Sequence, residues 1–87
     1  MLSIKVLGPG CSNCERLKAA TKEALTMLGA EGMVEAVTDR AQFRAYRLMA
    51  TPGLVVNEKL VCAGRVPEVT EIVSMLATAL AEQEPAS

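Results

Sequence analysis

Seven consecutive residues, Gly8-Pro9-Gly10-Cys11-Ser12-Asn13-Cys14, constrain this chain more than any other segment. Before them, Leu2 to Leu7 alternates like a strand, with Ile4 and Val6 near its middle. After them, Cys14, Leu17, Thr21, Ala24 and Leu28 recur at spacings of three and four, with Leu25 beside them. That period predicts a helix from Cys11 or Ser12 to Leu28 with one stripe facing a core. The two glycines and the proline between the patterns permit backbone angles that a strand cannot hold. The result is a strand, a sharp turn and a helix whose first turn carries two thiols.

The remaining chain reads as further short elements. Gly29 caps the first helix, and Gly32 opens a strand over Met33 to Val37. Asp39 and Gln42 resemble a capping box, starting a short helix that carries Phe43 and Tyr46 inward. Arg40, Arg44 and Arg47 share one face of it, which reads as a solvated stripe or as a dock for an acidic partner. Thr51-Pro52-Gly53 breaks the chain ahead of two strands, Leu54–Val56 and Leu60–Ala63, around Asn57-Glu58-Lys59. A two-residue turn at Asn57-Glu58 would need positive φ at both positions, awkward for Glu, and a longer loop including Lys59 is the other solution. Gly64 ends the fourth strand. Pro67 suits the first position of a final helix, with Glu68 and Glu71 favouring its N-terminus. Val69, Ile72, Val73, Leu76 and Leu80 form its apolar stripe, and 83–87 is expected to be a disordered tail after a domain spanning 1–82. The order is βαβαββα, an α/β chain with one four-stranded mixed sheet flanked by three helices.

Composition narrows the chemistry. Eighty-seven residues suit one domain, and 51% hydrophobic with 22% charged residues suits an ordinary globule. A net charge of -1, one Phe, one Tyr and no Trp argue against a nucleic-acid partner. No apolar run approaches the ~18 residues of a membrane span, and the opening residues lack the apolar block of a signal peptide. A cytoplasmic location is expected. With no histidine, Ser-His and Cys-His pairs and imidazole metal ligands are excluded. Three cysteines, Cys11, Cys14 and Cys62, cannot form a fully paired disulfide framework.

A thiol attacks only as thiolate, and an unperturbed cysteine has a pKa of about 8.5. Unpaired N–H groups and the helix dipole at a helix start favour that anion. Cys11 falls at the start, after a turn that leaves it exposed, and Cys14 falls one turn inside on the stripe facing the core. This asymmetry suits an accessible attacker and a shielded partner. Two other readings stay open: inert capping or buried cysteines, and a metal site. A lone Cys-X-X-Cys supplies two of the four ligands zinc wants, so Cys62, a carboxylate or a second chain would complete the shell.

Strand, Gly-Pro-Gly-Cys-Ser-Asn-Cys, helix, then Thr51-Pro52 ahead of a hairpin and a closing helix resembles the thioredoxin-like superfamily. It looks most like its small prokaryotic redox-active disulfide proteins, over about residues 1 to 82. The resemblance implies a protein disulfide oxidoreductase without cofactor or metal, Cys11 the nucleophile and Cys14 the resolving thiol. It also implies that Pro52 matches the family's cis-proline, and that Thr51, Pro52 and Gly10 contact the substrate. The implied partners are a protein disulfide and a reductase or other dithiol donor, met by a monomer. Several family features are missing. No Trp precedes Cys11, no Gly-Pro lies between the cysteines, and no Gly-Gly-Asp feature grips glutathione. Lys5 stands where an acidic residue would help deprotonate the inner cysteine. A dedicated partner is therefore expected.

The alternative class is a small copper or zinc module using the same thiolates. Copper chaperones place Cys-X-X-Cys similarly, but their order is βαββαβ and a methionine usually precedes the motif. A third class is a non-catalytic interaction domain with the disulfide as clip or switch. Cys62 reads as a small hydrophobe of the core or an edge strand.

Overall fold

Burial alternates along β1 (Leu2–Leu7): Leu2, Ile4 and Val6 are buried in the core, while Ser3 is exposed and Lys5 half-exposed. The structure, a computed structural model, describes residues 2–10 and 12–83. The expected tail at 83–87 therefore lies, Gln83 apart, outside the described residues, as does Cys11. The remaining elements are α1 (Ser12–Leu28), β2 (Gly32–Val37), α2 (Arg40–Ala45), β3 (Gly53–Val56), β4 (Lys59–Ala63) and α3 (Val69–Gln83). The sheet order is β2-β1-β3-β4. β1 pairs parallel with β2, as a βαβ crossover requires, and antiparallel with β3. The hairpin strands β3 and β4 are antiparallel. The expected α/β architecture is the one observed.

α1 and α3 lie side by side on one sheet face. Leu17, Ala24 and Leu25 of α1 and Ile72, Leu76 and Ala79 of α3 close over Leu2, Ile4, Val6, Leu54 and Val56. Each fully buried Leu or Ile contributes roughly 1.5–3 kcal/mol. Thr21 is the buried polar exception, and its hydroxyl donates to the Leu17 carbonyl at 2.7 Å. Cys62 is half-buried in β4, paired with Leu54 and packed against this core.

One boundary and two local details differ from expectation. α3 begins at Val69 and not at Pro67. The Glu71 carboxylate accepts from the Glu68 N–H at 3.3 Å, so Glu68 occupies the cap and Pro67 falls outside the helix. At α2 the Asp39 carboxylate accepts from the Ala41 N–H at 2.9 Å, while the Gln42 N–H donates to the Asp39 carbonyl. Phe43 and Tyr46 are half-buried rather than enclosed.

The hairpin takes the tighter solution. Val56 pairs with Lys59, leaving Asn57-Glu58 as a two-residue turn with φ of 50° and 71°. These signs are those of a type I′ turn. Tertiary contacts hold Glu58 in this conformation. Lys5 Nζ donates to Glu58 Oε1 at 3.1 Å and to the Tyr46 hydroxyl at 3.0 Å, and that hydroxyl donates to Glu58 Oε2. The Tyr46 hydroxyl, and after it Lys5, hold the Glu58 carboxyl below its ordinary 4.5. A depressed carboxyl contributes stability above the unfolded-state value and loses it as pH falls through the folded one. At neutral pH the wild type should thus need more urea to unfold than Glu58→Gln, with the gap closing below about pH 4.5. Equal urea midpoints at pH 7 would show that the cluster adds nothing.

Candidate functional site

Gly8 ends the alternation of β1 and donates its N–H to the Val37 carbonyl at 3.0 Å. By parity with Ile4 and Val6 its α-carbon faces the helices. A Cβ there would fall far inside van der Waals contact with Cys14 Sγ and 3.9 Å from Pro52 Cα. A missing side chain therefore makes room for the thiol between strand and proline. Gly10 turns the chain toward α1 with φ of 90°, a conformation that favours glycine. α1 starts at Ser12, so its first turn delivers Cys14 inward, where the residue is 6% exposed. Cys11 immediately precedes that helix and lies outside the described residues.

The second arm of the site comes from the α2–β3 connection. The Thr51–Pro52 peptide bond is cis. Pro52 is buried, and its carbonyl accepts from the Gly64 N–H at 2.9 Å, which extends the β3–β4 pairing beyond Gly53. Leu48 packs over Gly53, where a Cβ would collide with it. Thr51 is exposed beside Pro52. Of the residues singled out in the sequence, Cys14 and Pro52 both flank Gly8, while Thr51 and Gly10 stand exposed at the rim.

Lys5 is not beneath Cys14. It projects from the opposite sheet face, toward Tyr46 and Glu58, and its charge is spent there. Two further features emerge only from the tertiary structure. Gly8 was read only as a strand end, although its parity with Ile4 and Val6 points it at the helices. Pro9, and the α2 residues Arg40, Phe43 and Arg44, join Thr51 around an open groove of about 360 Å³. Phe43, expected to turn inward, is half-buried and lines this groove. Among the described residues, no group of three or more Cys, Asp or Glu side chains is placed to hold a metal ion. No described helix is long and apolar enough to cross a membrane.

Residues 2–77 match the family model for the thioredoxin domain. The chain belongs to the thioredoxin family. It is 36% identical over 76 residues to a thioredoxin of Methanothermobacter thermautotrophicus, covering 87% of this chain and 99% of that protein. A thioredoxin of Methanocaldococcus jannaschii is 31% identical over 72 residues, 83% of each chain. Among solved structures, a thioredoxin-2 described as a component of the malaria parasite protein secretion machinery superposes with TM-score 0.68 at 8% identity. That alignment covers 90% of this chain and 82% of the other. A second structure, described as a malarial protein, gives TM-score 0.67 at 9% identity over 92% of this chain and 98% of its own. At such identities the structural likeness establishes the fold alone. Family membership carries the general activity, thiol–disulfide oxidoreduction, which thioredoxins perform on protein disulfides with reductase partners.

Proposed function

We propose that this chain is a cytoplasmic, monomeric protein disulfide oxidoreductase that works through Cys11 and Cys14. The observation that carries the reading is the packing of Cys14 Sγ against Gly8 beside Pro52, at the first turn of α1. It supports a shielded second thiol next to a substrate-binding edge. The Cys11 thiolate attacks one sulfur of a substrate disulfide, that S–S bond breaks, and the released substrate thiolate takes a proton from solvent. Cys14, as thiolate, then attacks the Cys11 sulfur and displaces the second substrate thiolate. One substrate disulfide is reduced to two thiols, and the protein dithiol is oxidised to Cys11–Cys14. Backbone groups at Thr51 and Gly10 flank the bound peptide, and Pro52 packs beside the reacting sulfurs. A reductase or other dithiol donor then exchanges with the Cys11–Cys14 disulfide, which returns to two thiols as the donor dithiol becomes a disulfide. No cofactor or metal enters these steps.

The test is to mix the fully reduced protein with hydroxyethyl disulfide, alkylate, and weigh the intact chain and its peptides. The expected product has lost two hydrogens and takes one alkyl group, on Cys62. Alkylation of Cys11 or Cys14 in the product, or a disulfide involving Cys62, would contradict the assignment.

A further inference from the structure

The groove beside Thr51 carries two cations that the fold does not require. Arg40 and Arg44 lie four residues apart on α2, one turn from each other, and both are exposed. Like charges at that spacing repel weakly. Arg40 occupies the first helical position, where the helix dipole disfavours a cation. Among the described residues neither guanidinium forms an ion pair, whereas Lys5, Lys59 and Arg65 each do. Phe43 lies between them in the chain and supplies an apolar wall to the same groove, whose far rim is Pro9 and Thr51. The groove therefore runs from the two segments that flank the dithiol and Pro52 onto a positively charged helix. Folding explains none of this charge placement.

We propose that this groove selects acidic substrates: the disulfide peptide that exchanges with Cys11 lays an Asp- or Glu-bearing segment next to its cysteine against Arg40 and Arg44, with an apolar side chain on Phe43. The proposal rests on the dithiol reading above and names its substrate class. Acidic flanking residues complement the two guanidiniums, steer encounter and fix the direction in which the peptide crosses Thr51. Basic flanking residues meet repulsion at the same place. The chain's net charge of -1 makes this a local preference, not a general attraction for anions.

The experiment compares rates of reduction of three peptide disulfides identical except for Glu, Gln or Lys beside the cysteine, at low salt. With the reduced wild type, the Glu peptide should react about ten-fold faster than the Gln peptide and the Lys peptide slowest. The Glu-to-Gln ratio should fall toward unity at about 0.5 M salt. In R40Q/R44Q that ratio should lie within about two-fold of unity, and R40E/R44E should invert the order to favour Lys. Equal wild-type rates for the three peptides, with hydroxyethyl disulfide still reduced, would overturn the proposal alone. Failure to reduce any disulfide would overturn it together with the dithiol reading. A preference for Glu that survives R40E/R44E would place the selectivity elsewhere and overturn it too.

Discussion

Cys11→Ser is expected to abolish disulfide exchange, lowering the rate by on the order of 10³-fold or more, while Cys14→Ser accumulates mixed disulfides. The asymmetry follows from position. A position at a helix start is expected to favour a thiolate at Cys11, and a serine hydroxyl has no accessible anion near neutral pH. Cys14 is nearly enclosed by Gly8, Pro52 and the core, so a partner's disulfide has little access to it. Without its thiol, the first exchange proceeds and the intermediate has no internal route onward. The checking measurement is non-reducing electrophoresis and intact mass after each variant meets a disulfide peptide. Equal trapping by both variants, or by neither, would refute the division of roles.

The second large effect concerns Gly8. Gly8→Ala places a methyl group where Cys14 Sγ now sits, between β1 and α1 and beside Pro52. Both walls are backbone or core, so the thiol has little freedom to yield. Overpacking of this kind costs about 1–3 kcal/mol. The remedy identifies the cause. Cys14→Ala removes the sulfur and leaves the two Cβ atoms 3.5 Å apart, an ordinary contact. Gly8→Ala should therefore destabilise strongly in the wild-type background and far less in Cys14→Ala, a coupling of roughly 1–2 kcal/mol in urea unfolding. Additive effects would mean that the thiol does not occupy that space.

What the sequence made legible divides along physical lines. β1, α1 and the break between them were readable because a period of two gives way to one of 3.6 across a Gly-Pro-Gly turn, all within local sequence. The inward placement of Cys14 came with that period, and the order of elements fixed the mixed sheet. Tertiary detail was not readable. Glu58 adopts a turn conformation that its own preferences oppose, because Lys5, 53 residues away, and Tyr46 hold its carboxylate. The true start of α3 depends on Glu71 reaching back to Glu68. The groove depends on α2 folding against Pro9 and Thr51, so the spacing of Arg40 and Arg44 marked a charged stripe but not its place beside Thr51, and Phe43 carried no local sign of it.

These observations meet in one claim, that Cys11 and Cys14 form a reversible redox pair poised for exchange. Its most direct test is a redox titration of the metal-free protein, read by thiol alkylation and intact mass. A single two-electron transition between about -270 and -120 mV, confined to Cys11 and Cys14, is the expected result. A pair still oxidised below about -300 mV would be a structural clip, and a pair that never closes would contradict the account altogether.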